Sequence, residues 1–368
     1  MTTPLSVLDL SPVVSGSGAA EALRDTIDLA QHAERLGYRR FWVAEHHLVP
    51  GVASSSPAVL IALIVSATKT IRVGSGAVLL GYYPPLLVAE QFGTIAHLHP
   101  DRVDLGLGRS GFVRKDEVLK KFAAPAVPTP ARVVDGLLIP ERPTLAFRSE
   151  RFWERYEARE RLLGKRDPVD YTDQVTQVLG FLEGTNGDGF DVPSARDAAL
   201  DVWVLGSSAG ASAEAAGRLG LPFTANYHVS PTSVLEAVEA YRAAFVPSHR
   251  LARPWVSVSA DVVVAPDDDT ARELASPYAQ WVLSIRDSRG AERFATPAEA
   301  ATRTWTDDER KIVADRIDTQ FVGSPATVVE RLHALRRATK ADELLVTTVT
   351  HDHADRVRSY ELLADAWR

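Results

Sequence analysis

Residues 41–47 read FWVAEHH, an apolar run of strand length that ends in a carboxylate and two adjacent imidazoles. Strands bury apolar side chains, and polar side chains follow where the chain leaves the sheet. Residues 72–81 and 101–109 show a similar pattern, in which an apolar run leads to glycine. In parallel α/β barrels the carboxyl ends of the strands carry the functional residues. The stretch therefore predicts a parallel sheet with a polar site at one end.

Outward from this stretch, short apolar runs alternate with amphipathic segments of helix length. Strands are predicted at residues 5–9, 40–44, 71–73 with an extension toward 80, 102–107, 202–205, 222–225, 255–264 and 343–348. Helices are predicted at residues 20–36, 57–68, 85–98, 209–219, 232–245, 267–284, 325–337 and 354–367. Eight strands that alternate with helices favour an α/β fold of the closed (β/α)8 type, the TIM barrel. No GxGxxG motif follows the first strand, which argues against an open dinucleotide-binding sheet.

Two segments interrupt the alternation. Residues 112–168, after the fourth strand, are rich in Pro, Arg and Glu, and residues 284–321, after the seventh strand, are polar and charged. Each is predicted to be an insertion that forms a lid or a partly ordered loop. No linker divides the chain, so residues 1–368 are predicted to form a single domain.

Composition excludes several classes of function. The formal net charge of -7 argues against nonspecific nucleic-acid binding, which needs a basic surface. The chain has no cysteine, and therefore no disulfide, thiolate nucleophile or thiolate metal site. It begins without a secretory signal and contains no apolar run long enough to span a bilayer. A cytoplasmic protein with neither nucleic-acid nor membrane partners is predicted.

Short motifs occur in a defined order along the chain. They are LSVLDLSP at 5–12, AEHH at 44–47, IRVGSGAVLL at 71–80, VAEQF at 88–92, RVDLGLGR at 102–109, LGSS at 205–208, LGLPF at 219–223 and HDHADR at 351–356. Each motif is weak alone, and the ordered set is specific. The chain resembles the bacterial-luciferase-like flavin-dependent monooxygenases almost from end to end.

This resemblance implies an enzyme that uses reduced FMN and dioxygen. A flavin 4a-hydroperoxide would form in a dry pocket and transfer one oxygen atom to a small organic substrate. A separate flavin reductase would supply reduced FMN as a cosubstrate. The resemblance also implies a homodimer that packs through the helices after strands two and three.

His46 and His47 follow the second predicted strand. The resemblance places His46 at the active site beside the reactive edge of the flavin, as the catalytic residue. An imidazole with an ordinary pKa of ~6.5 can exchange protons near neutral pH. Glu45 is expected to orient one of the two rings. His47 is the weaker of the two candidates and is expected to contact the substrate. The metal-site spacings are absent, so no metal site is predicted.

Two further positions are assigned to the flavin by the resemblance. A cis peptide bond between Gly76 and Ala77 is expected against the flavin ring, where glycine permits a close backbone approach. Arg109 follows two glycines and is expected near the FMN phosphate, which a guanidinium can bind through two hydrogen bonds. The alternatives are an ordinary strand end and a solvated surface arginine.

The segment Gly206-Ser207-Ser208-Ala209 precedes a predicted helix. The free N–H groups of a helix N-terminus bind anions, so this segment is a candidate phosphate site together with Arg109. Ser207 or Ser208 would also be a suitable N-cap. His228, after the sixth strand, is a candidate for substrate contact, and an ordinary polar loop is the equal alternative.

Two other functions remain open. Related barrels bind a deazaflavin coenzyme, and such an enzyme would transfer hydride in place of oxygen. A non-catalytic flavin-binding or partner protein that kept the barrel and lost turnover is the second alternative. Retention of both His46 and Arg109 argues against it, because a scaffold needs neither.

Overall fold

The computed structural model describes residues 3–109, 130–142, 150–164 and 169–368. Its strands are β1 (Leu5–Asp9), β2 (Arg40–Val43), β3 (Arg72–Ser75), β4 (Val78–Leu79), β5 (Val103–Gly108), β6 (Arg132–Val134), β7 (Leu137–Ile139), β8 (Leu200–Gly206), β9 (Phe223–Asn226), β10 (Val256–Val264), β11 (Phe321–Gly323) and β12 (Glu343–Thr347). Its helices are α1 (Ala19–Leu36), α2 (Pro57–Ala67), α3 (Pro85–Leu98), α4 (Glu150–Leu163), α5 (Tyr171–Glu183), α6 (Ala211–Arg218), α7 (Val234–Ala244), α8 (Asp268–Ala275), α9 (Tyr278–Arg286), α10 (Pro297–Ala301), α11 (Asp307–Thr319), α12 (Pro325–Thr339) and α13 (His353–Ala366).

Eight of these strands close into a barrel. Around the ring the order is β1, β2, β3, β5, β8, β9, β10 and β12, and β12 pairs with β1 to close it. The pairings around the ring are parallel. Each predicted strand occupies one position in the ring, so the predicted TIM barrel is confirmed. The strands β6 and β7 form a separate antiparallel hairpin.

All eight predicted helices are present with small shifts in their bounds, and α4, α5, α10 and α11 were not predicted. The helix predicted at 267–284 is divided into α8 and α9 at Pro277, which has no N–H to continue the first helix. The helix predicted from 209 begins at Ala211, after Gly210. Among the described residues, no helix combines the length and the hydropathy needed to cross a membrane.

Side chains along the strands alternate between two apolar clusters. Val7 and Phe41 belong to the larger cluster, which packs the outside of the barrel against the helices. Leu8, Trp42 and Trp203 belong to the second cluster, inside the barrel. The Trp42 and Trp203 rings meet edge to face with centroids 5.1 Å apart. The interior of the barrel, as the described residues build it, is therefore a packed core, so a ligand of cofactor size is expected at an end of the barrel.

The amino end of the barrel interior is charged. Arg40 donates to Asp104 at 2.8 Å and to Glu343 at 3.1 Å, and all three side chains are buried. Asp104 also accepts from Trp42 Nε1 and from Arg72 Nε, both at 2.8 Å. These contacts join strands from opposite sides of the ring. The network closes the barrel at the end away from the predicted site.

The segment 284–321 is largely helical, so the expectation of a partly ordered loop there is wrong. Capping boxes start both α10 and α11, in which Thr296 pairs with Glu299 and Thr306 with Glu309. Much of 112–168 lies outside the described residues. The single domain with two insertions stays a prediction.

Candidate active site

Glu45, His46 and His47 leave β2 at the carboxyl end of the barrel, here called the mouth. The buried Glu45 carboxylate accepts hydrogen bonds from the Tyr83 hydroxyl at 2.7 Å and from the Leu79 N–H at 2.8 Å. Nε2 of His47 lies 2.7 Å from the same carboxylate. Of the two adjacent imidazoles, Glu45 therefore orients His47.

The His46 ring is left available to a ligand. Its backbone N–H donates to Ser54 O at 2.8 Å, and the hydrogen bonds among the described residues include none to the ring. The side chain is solvent-accessible yet deeply surrounded by protein, as expected for a residue that lines an open mouth. Burial lowers the pKa of His46; the Glu45 carboxylate opposes this shift and His47 adds to it. This imidazole is neutral at neutral pH and can accept a proton.

The peptide bond between Gly76 and Ala77 is cis, as expected. It lies between β3 and β4, where pairing with β5 is interrupted. Across the interruption, Ser75 Oγ donates to Gly106 O and accepts from Gly106 N–H, both at 2.9 Å. A Cβ on Gly106 would lie 2.0 Å from Ser75 O, so this approach of two strands requires glycine. The interruption brings Ala77 beside Gly108 at the mouth.

Arg109 lies on the strand next to the predicted phosphate segment. Gly108 of β5 pairs with Leu205 of β8, so Arg109 and Gly206 follow side by side. Strands four and five of the barrel are therefore neighbours, as the predicted phosphate site requires. Arg109 is exposed, and its charge partly offsets the rise that burial causes in the pKa of nearby Tyr171.

The N-terminus of α6 has no side-chain cap. Gly210 is the N-cap, so the expectation that Ser207 or Ser208 caps the helix is wrong. Ser207 Oγ instead accepts from Asn226 Nδ2 at 3.1 Å, and Ser208 is exposed, as is Ala209. The first N–H groups of α6 are free of side-chain partners and carry a partial positive charge. This end of the helix is suited to an anion.

These residues fit a flavin mononucleotide. The Arg109 guanidinium and the N-terminus of α6 would be the donors for a phosphate, because they follow the adjacent strands β5 and β8. The next position around the ring carries Gly76 and Ala77, where a flat ring can approach the backbone. A bound flavin would supply the redox chemistry, and the side chains would bind, orient and exchange protons with it.

His228 follows β9 and lies close enough to His46 for the charge of His46 to lower the pKa of His228. Nδ1 of His228 is 2.5 Å from Ser259 Oγ on β10. Burial lowers the pKa of His228 to about 3, with further contributions from the charges of Arg316 and His46. The structure therefore brings the two predicted histidines, 182 positions apart, to the same mouth.

Three polar residues at the mouth were missed by the sequence analysis. Asp261 lies two residues after Ser259 on β10, so both side chains are on the same face of the strand, toward the interior. The Tyr278 hydroxyl donates to Asp261 Oδ2 at 2.5 Å and accepts from Nη2 of Arg316 at 2.6 Å. The capping box at the start of α11 would have predicted the helix that carries Arg316. Nothing local to the sequence indicates that this arginine reaches His228.

Described parts of the segment 112–168 border the mouth. Arg155 of α4 donates to Leu48 O at 2.6 Å, and the Arg159 guanidinium lies 5.8 Å from the centre of the Tyr82 ring. The Tyr227 hydroxyl donates to Leu138 O of the β6–β7 hairpin at 2.7 Å. The lid assignment stays a prediction, because residues 110–129, 143–149 and 165–168 lie outside the described residues.

The fold and the mouth together define a class, the TIM-barrel proteins that can bind a phosphorylated cofactor. Comparison with known proteins narrows this class. Residues 3–342 match the luciferase-like monooxygenase family. The chain is 38% identical over 367 residues to YvbT of Bacillus subtilis (strain 168), covering 100% of this chain and 97% of the relative. It is 33% identical over 366 residues to a luciferase-like monooxygenase of Escherichia coli (strain K12), covering 99% and 97%. The chain belongs to the luciferase-like monooxygenase family of oxidoreductases.

Solved structures agree with this assignment. Apo-MsnO8 is 32% identical with a TM-score of 0.77, over 99% of this chain and 98% of that one. The oxygenating constituent of 3,6-diketocamphane monooxygenase from Pseudomonas putida, in complex with FMN, is 20% identical with a TM-score of 0.66, over 99% and 98%. An F420-dependent secondary alcohol dehydrogenase is 15% identical with a TM-score of 0.61, over 100% of both chains. The last two share the fold.

Proposed function

We propose that the protein is a monooxygenase that uses reduced FMN and dioxygen to add one oxygen atom to a small organic substrate. The observation that carries the proposal is the convergence of four features on neighbouring strands at one mouth. These features are the His46 ring, which has no hydrogen bond to a described residue, the backbone at Gly76 and Ala77, Arg109 and the uncapped end of α6. Family membership supplies the reaction class.

Each part has a role in this proposal. Arg109 and the N-terminus of α6 bind the phosphate, and Gly76 and Ala77 contact the ring. His46 accepts or donates a proton at the reacting edge, and its low pKa keeps it neutral until a proton is transferred. His47, held by Glu45, contacts the substrate together with His228. Exclusion of water by the filled mouth protects the oxygenating species.

Partners follow from the same proposal. A separate reductase supplies reduced FMN. A homodimer forms through α2 and α3, whose exposed apolar side chains support this. They are Val59, Leu63, Leu86 and Leu87.

The test is to titrate the purified protein anaerobically with reduced FMN and then to mix it with air-saturated buffer in a stopped flow. A transient near-ultraviolet absorbance that decays slowly supports the oxygenase. Tight FMN binding with immediate reoxidation and no transient contradicts it.

A deazaflavin-dependent hydride transfer is the second candidate, favoured by the F420-dependent dehydrogenase among the fold neighbours. The same protein is therefore titrated with reduced deazaflavin under anaerobic conditions. Binding and turnover of that coenzyme, with no FMN binding, would replace the first proposal with this one. Failure to bind either coenzyme would favour the non-catalytic homologue.

A further inference from the structure

Arg316 is a buried cation that projects from α11 toward the mouth. Its side chain is 8% exposed, and its charge acts on His228. It is held by Tyr278, which in turn is bonded to Asp261 at the carboxyl end of β10. Asp261 lies on the same face of β10 as Ser259, which is the partner of His228. The Arg316 guanidinium, which is near Asp261, therefore lies beside the proposed substrate site.

Most of the N–H donors of Arg316 have no hydrogen-bond partner among the described residues. A guanidinium has five N–H donors, and one bond, from Nη2 to the Tyr278 hydroxyl, is made to a described residue. Nε is buried and has no hydrogen-bond partner among those residues. A buried charge is stable when it is paired and hydrogen-bonded, so donors left open in this way are suited to an acceptor that arrives with a ligand.

The local carboxylates do not supply that acceptor. Asp261 lies 3.9 Å from Nη2, beyond hydrogen-bond distance, and its Oδ2 is already bonded to Tyr278. Asp315, the preceding residue, is occupied by Arg286, which donates to both of its carboxylate oxygens. The guanidinium is therefore close to negative charge without a direct carboxylate contact.

We infer that Arg316 binds a negatively charged group of the substrate, a carboxylate or another monoanion, at the mouth beside His228. The inference rests on the proposed function, because it takes the mouth to be the substrate site of the oxygenase. Arg316 sets substrate specificity in this scheme. A carboxylic acid would be bound in preference to its uncharged analogue, because the analogue has no negative charge to accept a charge-assisted hydrogen bond from Arg316.

The probe is benzoate, compared with benzamide, its uncharged analogue. Dissociation constants are measured by ligand-observed NMR on the full chain, first without flavin and then with FMN. Arg316→Gln is expected to weaken benzoate binding about 10- to 100-fold, in line with the loss of charge-assisted hydrogen bonds, and to leave benzamide binding unchanged. Lys311→Gln is the matched control, because it removes one positive charge from the exposed face of the same helix. Equal benzoate binding by wild type and Arg316→Gln, or none by wild type, overturns the inference.

A second variant tests the same inference without removing the arginine. Asp261→Asn removes the competing negative charge and keeps the Tyr278 contact within reach, so benzoate should bind several-fold more tightly. A purely structural role for Arg316 predicts no such gain. Unchanged or weaker benzoate binding in Asp261→Asn overturns the inference even if Arg316→Gln fails to fold.

The flavin phosphate is the other anion that could meet Arg316. If it does, Arg316→Gln will weaken FMN binding but not riboflavin binding, and FMN will displace benzoate. That result overturns the inference while the proposed function stands. Absence of flavin binding with an intact benzoate difference would instead contradict the proposed function and leave the anion site in place.

Discussion

The side chains of His46 and His47 differ in what holds them. The buried Glu45 carboxylate accepts hydrogen bonds from the Tyr83 hydroxyl and the Leu79 N–H, and the imidazole within its hydrogen-bond distance is that of His47. The His46 ring points into the mouth without such a partner among the described residues. The Glu45 carboxylate thus makes the two histidines different: it orients His47 and leaves the His46 ring available.

Replacement of His46 by Ala should lower the proposed oxygenation rate about 10²- to 10⁴-fold, the usual contribution of a positioned acid or base. Folding should be unaffected, because none of the described hydrogen bonds involves the ring. His47→Ala is the comparison, and its loss should be smaller. The measurement is single-turnover product formation, with thermal unfolding as the check on folding. A larger loss in His47→Ala would reverse the assignment of the two rings.

His228 should make stability depend on pH. Its folded-state pKa of about 3 lies below the ordinary value of 6.5, so in mild acid the unfolded chain binds a proton that the folded chain does not. Stability from this residue is complete above about pH 6.5 and is lost as the pH falls toward about 3. Between about pH 7.5 and about pH 5.5 the loss should be up to about 1.4 kcal/mol.

Urea unfolding of the wild type and His228→Gln at both pH values measures this effect. The variant should show a smaller drop in the free energy of unfolding by that amount. Identical pH dependence in the two proteins would show that His228 is protonated as easily in the folded state as in the unfolded chain.

At the scale of elements, the N-terminus of α6 combines a missing side-chain cap with the proposed anion site. Gly210 has no side chain to satisfy the first N–H groups, and a Cβ at this position would meet nothing within 4 Å. The loop can therefore accept other side chains without a clash. This allows helix stability and ligand binding to be changed in opposite directions.

Gly210→Asp should cap α6 and keep or raise stability by a few tenths of a kcal/mol. The added carboxylate should nevertheless weaken FMN binding about 10-fold or more through repulsion of the phosphate, with little effect on riboflavin. Gly210→Asn is the control, because it caps without charge. Flavin fluorescence titrations supply the affinities. Tighter or unchanged FMN binding in the Asp variant would place the phosphate elsewhere.

At the scale of the whole molecule, the charged amino end of the barrel holds distant strands together. Asp104 accepts from Arg40, Trp42 and Arg72, which arrive from two other strands. Removal of one member of a buried ion network leaves the other charges uncompensated. Asp104→Ala should therefore lower the free energy of unfolding by about 3–5 kcal/mol.

Chemical denaturation of Asp104→Ala tests this value. Asp269→Ala is the control, because Asp269 pairs with Arg272 on the surface of α8, where a pair is worth at most about 1 kcal/mol. A loss of the same small size in both variants would mean that the interior pairs are as weak as exposed ones.

Association of two copies is also a property of the whole molecule. Leu63→Glu places a charge in the exposed apolar group on α2 and α3, where Leu63 is 53% exposed. If that surface forms the proposed homodimer, the variant should be monomeric in sedimentation velocity with unchanged thermal stability of the fold. Phe190→Glu, at an exposed apolar residue of the loop after α5, is the control. A dimer that survives Leu63→Glu would exclude this surface.

Sequence patterns were sufficient to predict the strands and the barrel, and they placed the candidate site residues at strand ends, where the structure has them. Periodicity of two in strands and of about 3.6 in helices is a local property, so it can be read from residues such as 41–47 without a structure. The starts of helices were predicted less accurately than the strands. The start of α6 was misplaced because serines that resemble a cap lie before Gly210, and two capping boxes in 284–321 were overlooked.

The amino-acid sequence by itself determined that this chain forms a TIM barrel with His46 and Arg109 at strand ends, because hydrophobic periodicity and glycine positions are encoded locally. The tertiary structure alone decided that Glu45 holds His47, that His228 approaches His46, and that Arg316, held by Tyr278 and Asp261, acts on His228 by its charge. Such contacts depend on which strands are neighbours and on how α11 packs across the mouth. The distances between these residues are set when the barrel closes, so no local sequence pattern specifies them.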